Sequence, residues 1–141
     1  MDYEEKIMEI MKEELVIKTM DLLRKIHPKF SETQKTKFMR GLNKVRKEKR
    51  ILKIEVKPED IFSLKQPIEY NFFVDEKKFK RTCKKLIDEV FLKAVNIHFL
   101  IPEKQKEEIF NTLMTGIDFD KMTKENPQKI FKIIIRNIKK L

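Results

Sequence analysis

Three segments of the chain alternate apolar and polar residues with a period of two. Leu52, Ile54 and Val56 alternate with Lys53, Glu55 and Lys57. Ile68, Tyr70, Phe72 and Val74 alternate with Glu69, Asn71 and Phe73, and Val95, Ile97, Phe99 and Ile101 alternate with Asn96, His98 and Leu100. Successive side chains on a strand point to opposite faces, so this pattern predicts three strands in a sheet with one face buried. The rest of the chain reads at helical spacing. The expected class is therefore α+β: a small three-stranded sheet covered by about five helices, in the order ααββαβαα. The 141 residues fit a single domain, 1–141. Two or three helices ahead of a strand pair also agree with a winged-helix-like arrangement.

The helices are delimited by capping chemistry. Ile7, Met11, Leu15, Leu22 and Ile26 recur at helical spacing, and Ile10, Val16, Met20 and Leu23 widen the stripe. This predicts one long helix over residues 3–26, ended by His27-Pro28, because the residue before proline disfavours helical dihedrals. So wide a stripe implies burial on two sides, against the core and another helix or against a second copy. Ser31-Glu32-Thr33-Gln34 reads as a capping box opening a second helix, whose inner face is Phe38, Met39, Leu42 and Val45. Gly41 inside it costs about 1 kcal/mol relative to alanine and marks a kink or a close helix contact. Asp75 caps a helix reaching residue 92, with Phe79, Cys83, Leu86, Ile87 and Val90 inward. Pro102 opens another, to Met114, and Asn126-Pro127 opens the last, to Leu141.

The formal net charge is +10, and its distribution says more than its size. Residues 31–57 carry ten basic and three acidic side chains, and residues 121–141 carry seven and one, whereas residues 1–30 carry six and seven. On the second helix Lys37, Arg40, Lys44 and Lys47 follow one another at i, i+3, i+7 and i+10, opposite Phe38, Leu42 and Val45. Arg46, Lys49 and Arg50 thicken the C-terminal end, and Lys77, Arg81 and Lys84 form a shorter stripe on the third helix. Such stripes suit a phosphate backbone, whose counterions they displace. Lysine positions a backbone better than it reads bases, so low sequence specificity is expected. The last helix, with Lys129, Lys132, Arg136, Lys139 and Lys140 around an apolar stripe, could meet a membrane surface, a partner groove or nucleic acid, or pack on the core.

Other chemistries find little support. A helix-turn-helix alignment with its turn at Gly41 would bury Lys47 and Arg50, so that alignment fails. Glu55-Val56-Lys57 resembles the Glu-x-Lys of a metal-dependent nuclease, but no earlier strand supplies the second acid. Cys83, His27 and His98 are too few and too scattered for a zinc site or a nucleophile–base pair. Two glycines leave no phosphate-cradling loop. No cofactor and no metal is expected. The acidic start, Met1-Asp2-Tyr3-Glu4-Glu5, is unlike a secretory signal, no apolar run is long enough to span a membrane, and the lone cysteine fits a reducing, cytoplasmic setting.

The expectation is thus a non-enzymatic basic protein that binds DNA or RNA through its phosphates. The alternative is a protein-interaction module, a small regulator or inhibitor, with a protein partner or a homodimer held through residues 3–26.

Overall fold

The computed structural model describes residues 1–57, 66–89 and 103–116, with positions 129, 132, 133, 136 and 137. Helix α1 (Tyr3–Glu14) opens on Asp2, whose carboxylate accepts from the Glu5 N–H at 3.2 Å. It does not run on to residue 26. At Leu15 the backbone turns to φ +67°, and the chain enters a short strand, β1 (Val16–Lys18), before resuming as α2 (Thr19–Ile26). The Leu15 N–H still bonds the Met11 carbonyl at 2.9 Å, while its own carbonyl accepts from Phe73 N at 2.9 Å. Pairing with a strand wins over one more helical turn, because Val16 and Ile17 are β-branched and both bury on the sheet.

Helix α2 stops at His27, as the proline that follows requires. Helix α3 (Glu32–Lys47) starts on the expected capping box: Ser31 Oγ accepts from Gln34 N at 3.2 Å, and Gln34 Oε1 accepts from Ser31 N at 2.9 Å. Gly41 marks a close approach. A Cβ built there would sit 3.0 Å from Tyr3 Cβ and 3.6 Å from the Glu4 nitrogen, so the missing side chain lets α1 lie directly on α3. Helix α3 ends in a Schellman motif, with Arg50 N bonded to Val45 O and Lys49 N to Arg46 O. Lys49 takes the left-handed position, φ +60°, usually given to glycine.

Strands β2 (Ile51–Val56) and β3 (Ile68–Phe73) pair antiparallel from Ile51↔Phe73 to Val56↔Ile68. β1 pairs with the other side of β3, Val16↔Phe72 to Lys18↔Tyr70, so the sheet order is β1-β3-β2. The expected strand over 95–101 lies outside the described residues, and the third strand found is β1. Helices α4 (Phe79–Ile87) and α5 (Glu103–Leu113) follow. Asp75 caps a turn rather than the helix, taking Lys77 N at 2.8 Å. Among the described residues the order is therefore αβααββαα. Its first six elements place a short strand between the first two helices and then a strand pair whose second member bonds to it, a small α+β fold.

Both faces of the sheet are covered, not one. Ile17, Ile51 and Phe73 join Ile7, Met11, Leu22, Leu23, Phe38, Leu42 and Val45 in the core beneath α1, α2 and α3. On the opposite face Phe72 meets Phe79 of α4 edge-on, ring centres 5.9 Å apart, and Tyr70 Oη reaches the Glu89 carbonyl at 3.4 Å. Asn71 and Phe73, on the face expected to be exposed, are both buried. No helix among the described residues is long and apolar enough to cross a membrane.

Candidate nucleic-acid interface

Helix α3 is held from one side only. Phe38, Leu42 and Val45 are fully buried, and this fixes which face turns outward. Lys37, Arg40, Lys44 and Lys47 all lie exposed on that outer face. The structure therefore brings these four into one row, as their spacing predicts. Thr33, Thr36 and Asn43 share the same exposed side. A search for charge alone passes over them, yet Asn43 sits beside the basic row and carries an amide of the kind that pairs with adenine edges.

Arg46 does not join the row. Its side chain is only 12% exposed and turns inward to the sheet. Nη2 donates to Glu69 Oε1 at 2.6 Å and to Asn71 Oδ1 at 2.6 Å, Nε donates to Asn71 Oδ1 at 3.2 Å, and Nη2 also reaches Thr19 Oγ1 at 3.2 Å. Asn71 Nδ2 donates in turn to the Ile17 carbonyl and to Thr19 Oγ1. One guanidinium thus ties α3 to β3 and to the β1–α2 junction. Its place one position off the stripe, at 100° from Val45, puts it at the helix–sheet boundary.

Lys44 is exposed but engaged. Its Nζ lies 3.0 Å from Glu4 Oε1. That hydrogen bond, followed by the charge of Glu4, raises the ammonium pKa above the ordinary lysine value. Between the start of α1 and the stripe is an open cleft of about 540 Å³, with Met1, Asp2 and Glu4 on one side and Lys37, Arg40 and Lys44 on the other. Among the described residues Lys37, Arg40 and Lys47 make no ion pair. Lys49 and Arg50 are exposed in the turn after α3. Arg50 lines a second cleft, opposite Asp2, Glu5 and Glu9.

Lys77, Arg81 and Lys84 are exposed on or just before α4. They are not continuous with the α3 row. Arg46 of α3 reaches Glu69 and Asn71 on one face of the sheet, and Phe79 of α4 packs on Phe72 of the other, so the sheet separates the two stripes. Lys84 bonds Glu107 of α5 at 3.0 Å and lies 5.8 Å from the Phe110 ring centre. Of the last helix, Lys129, Lys132 and Arg136 are helical and exposed, and Lys139 and Lys140 lie outside the described residues.

Residues considered for other chemistry are placed as follows. Cys83 is fully buried, and burial pushes its thiol pKa well up. His27 Nε2 is 2.8 Å from the Tyr3 hydroxyl, and His98 lies outside the described residues. Tyr70 and Phe73 are buried, so neither ring is placed to stack on a base. Among the described residues no group of three or more His, Cys, Asp and Glu side chains is placed to hold a metal ion. Compared with family models, with curated proteins and with solved structures, the chain finds no significant match in any of the three.

Proposed function

We propose that this protein is a non-enzymatic nucleic-acid-binding protein that lays the outer face of α3 along a phosphate backbone, with low sequence specificity. The observation that carries this reading is the exposed row Lys37, Arg40, Lys44 and Lys47 on a helix whose opposite face is fully buried. A rigid helix presents cations at a fixed pitch, so several phosphates are met without ordering a loop first. The arrangement adds an analogy. Once the first helix is cut at Leu15, α2, the turn 27–31 and α3 form a helix pair in which α3 is second, the position of a recognition helix in helix-turn-helix proteins. A cytoplasmic setting goes with the reading, supported by the single buried cysteine.

The alternative is a protein-interaction module, a small regulator or inhibitor, with a protein partner or homodimer through residues 3–26; it rests on the wide apolar stripe of that segment and on the separation of acidic from basic segments. Of that stripe Ile7, Met11, Leu15, Val16, Leu22 and Leu23 are buried within the chain, and Ile10, Met20 and Ile26 are partly buried against the same core. The burial of most of that stripe within the chain favours the nucleic-acid reading over it.

The test is fluorescence anisotropy with a 20-base-pair DNA duplex and the matching RNA duplex, between 50 and 300 mM salt. Four phosphate contacts give a slope of log K against log salt of about −3.6. The variant with Lys37, Arg40, Lys44 and Lys47 changed to Glu should lose binding at every salt concentration. Absence of binding at 50 mM, or equal binding by the variant, would sink the reading.

A further inference from the structure

We propose that Glu4 is a built-in competitor for phosphate at Lys44, so that backbone binding by α3 proceeds by exchange of a carboxylate for a phosphate. The inference rests on the nucleic-acid reading and deepens it, by naming where one phosphate sits and what it displaces. The row has four exposed cations, and Lys44 alone among them is ion-paired in the described structure, to Glu4 at 3.0 Å. Glu4 is not there by chance of a long side chain. Its backbone is brought onto α3 by Gly41, whose missing Cβ leaves the Glu4 nitrogen and Tyr3 Cβ in contact distance.

The same approach opens the cleft of about 540 Å³ that Lys37, Arg40 and Lys44 share with Asp2 and Glu4. The three cations flank one concavity, so an anion in it meets three positive groups. The Glu4 carboxylate, fixed to α1, satisfies the Lys44 end. A phosphate diester brings an anionic oxygen to the same ammonium and can turn its second oxygen toward Arg40 or Lys37. The pair to be broken is solvent-accessible, with the Lys44 side chain 63% and the Glu4 side chain 32% exposed. Pairs of that kind are weak and screened by salt, so exchange is easy in the direction of the richer anion. The consequence is that Glu4 holds the affinity of the resting protein down.

The experiment compares the full chain with Glu4→Gln and Glu5→Gln, using the same 20-base-pair duplex from 50 to 300 mM salt. Both variants remove one negative charge from the same helical turn. Glu5 makes no ion pair with the row among the described residues, so its change reports general charge alone. Glu4→Gln is expected to tighten binding about 3- to 5-fold at 100 mM salt, with the number of phosphates contacted still four. Glu5→Gln is expected to tighten it less than 2-fold. Equal gains in the two variants would mean that Glu4 acts only as a nearby negative charge, and no gain in either would mean that it does not act at all. Each of those results overturns this inference while leaving the parent reading in place. Absence of binding by all three proteins at 50 mM overturns the parent reading and this inference together.

Discussion

The Arg46 guanidinium meets the Glu69 carboxylate at 2.6 Å across the boundary between α3 and the sheet, with Asn71 and Thr19 completing its shell. Among the described residues no buried side-chain polar atom lacks a partner. A buried charge held so completely is costly to break from one side. Arg46→Met removes every donor facing Glu69 Oε1 and Asn71 Oδ1 except Thr19, and should destabilise the fold by about 2–3 kcal/mol in urea denaturation at pH 7. The partial exposure of Glu69, which can rehydrate, keeps the cost from the upper end. Because Arg46 faces inward, the same variant should leave the salt slope of nucleic-acid binding unchanged. A slope reduced by about 0.9 would instead make Arg46 a phosphate contact.

The same network sets an acid response. Burial pushes the Glu69 carboxyl up, but hydrogen bonds from Arg46 and Thr19 and the charges of Arg46 and Lys53 outweigh it, and the pKa falls below the ordinary value. A depressed folded-state pKa contributes stability that is present above the unfolded value, about 4.3 for glutamate, and is lost as pH falls through the folded value. Glu69→Gln should therefore cost about 1 kcal/mol between pH 5.5 and 8. The gap between it and the parent should narrow as pH drops below about 4.3. A gap that stays constant down to pH 3 would show that the Glu69 charge contributes nothing.

Gly41 offers a test of the α1–α3 approach that places Glu4. In an open helix, Gly→Ala stabilises by about 1 kcal/mol. Here the new Cβ would meet Tyr3 Cβ at 3.0 Å, tighter than ordinary packing. Overpacking typically costs about 1–3 kcal/mol, so Gly41→Ala should come out destabilised by about 1 kcal/mol in the urea midpoint. A gain of the full helix-propensity value would mean that α1 does not lie on Gly41.

The parts of this fold that were legible in the sequence are those with local punctuation. Ser31 and Gln34 announce α3, His27-Pro28 ends α2, and alternation marks β2 and β3. The row Lys37, Arg40, Lys44 and Lys47 was legible because helical spacing alone decides which side chains share a face. What was hidden depends on contacts far away in sequence. Arg46 is one position off a surface stripe, and only the partners Glu69 and Asn71, more than twenty residues on, reveal it as interior. Asn71 and Phe73 were misplaced because alternation says that a strand has two faces, not that both are covered. The break at Leu15 has no Gly, Pro or capping side chain at all. Lys18, which caps α2, makes no side-chain bond to it, and the helical stripe runs through the break without interruption. Fusing α1 and α2 then concealed both β1 and the α2–α3 helix pair.

That break can be examined directly, because glycine and alanine rank oppositely in the two backbones. In a continuous helix, glycine at position 15 is about 1 kcal/mol worse than alanine. At the observed φ of +67°, alanine bears the steric cost of the left-handed side of the map and glycine does not, a difference of about 1–2 kcal/mol in the other direction. Both variants lose the Leu15 side chain, which is only 6% exposed, so both should fall below the parent by about 2–4 kcal/mol. The informative quantity is their difference, in which the lost side chain cancels. Leu15→Gly is expected to be more stable than Leu15→Ala by about 1 kcal/mol in urea denaturation. The reverse order would restore a single helix through residues 3–26, and with it would go β1, its pairing to β3, and the helix pair that sets α3 in second position.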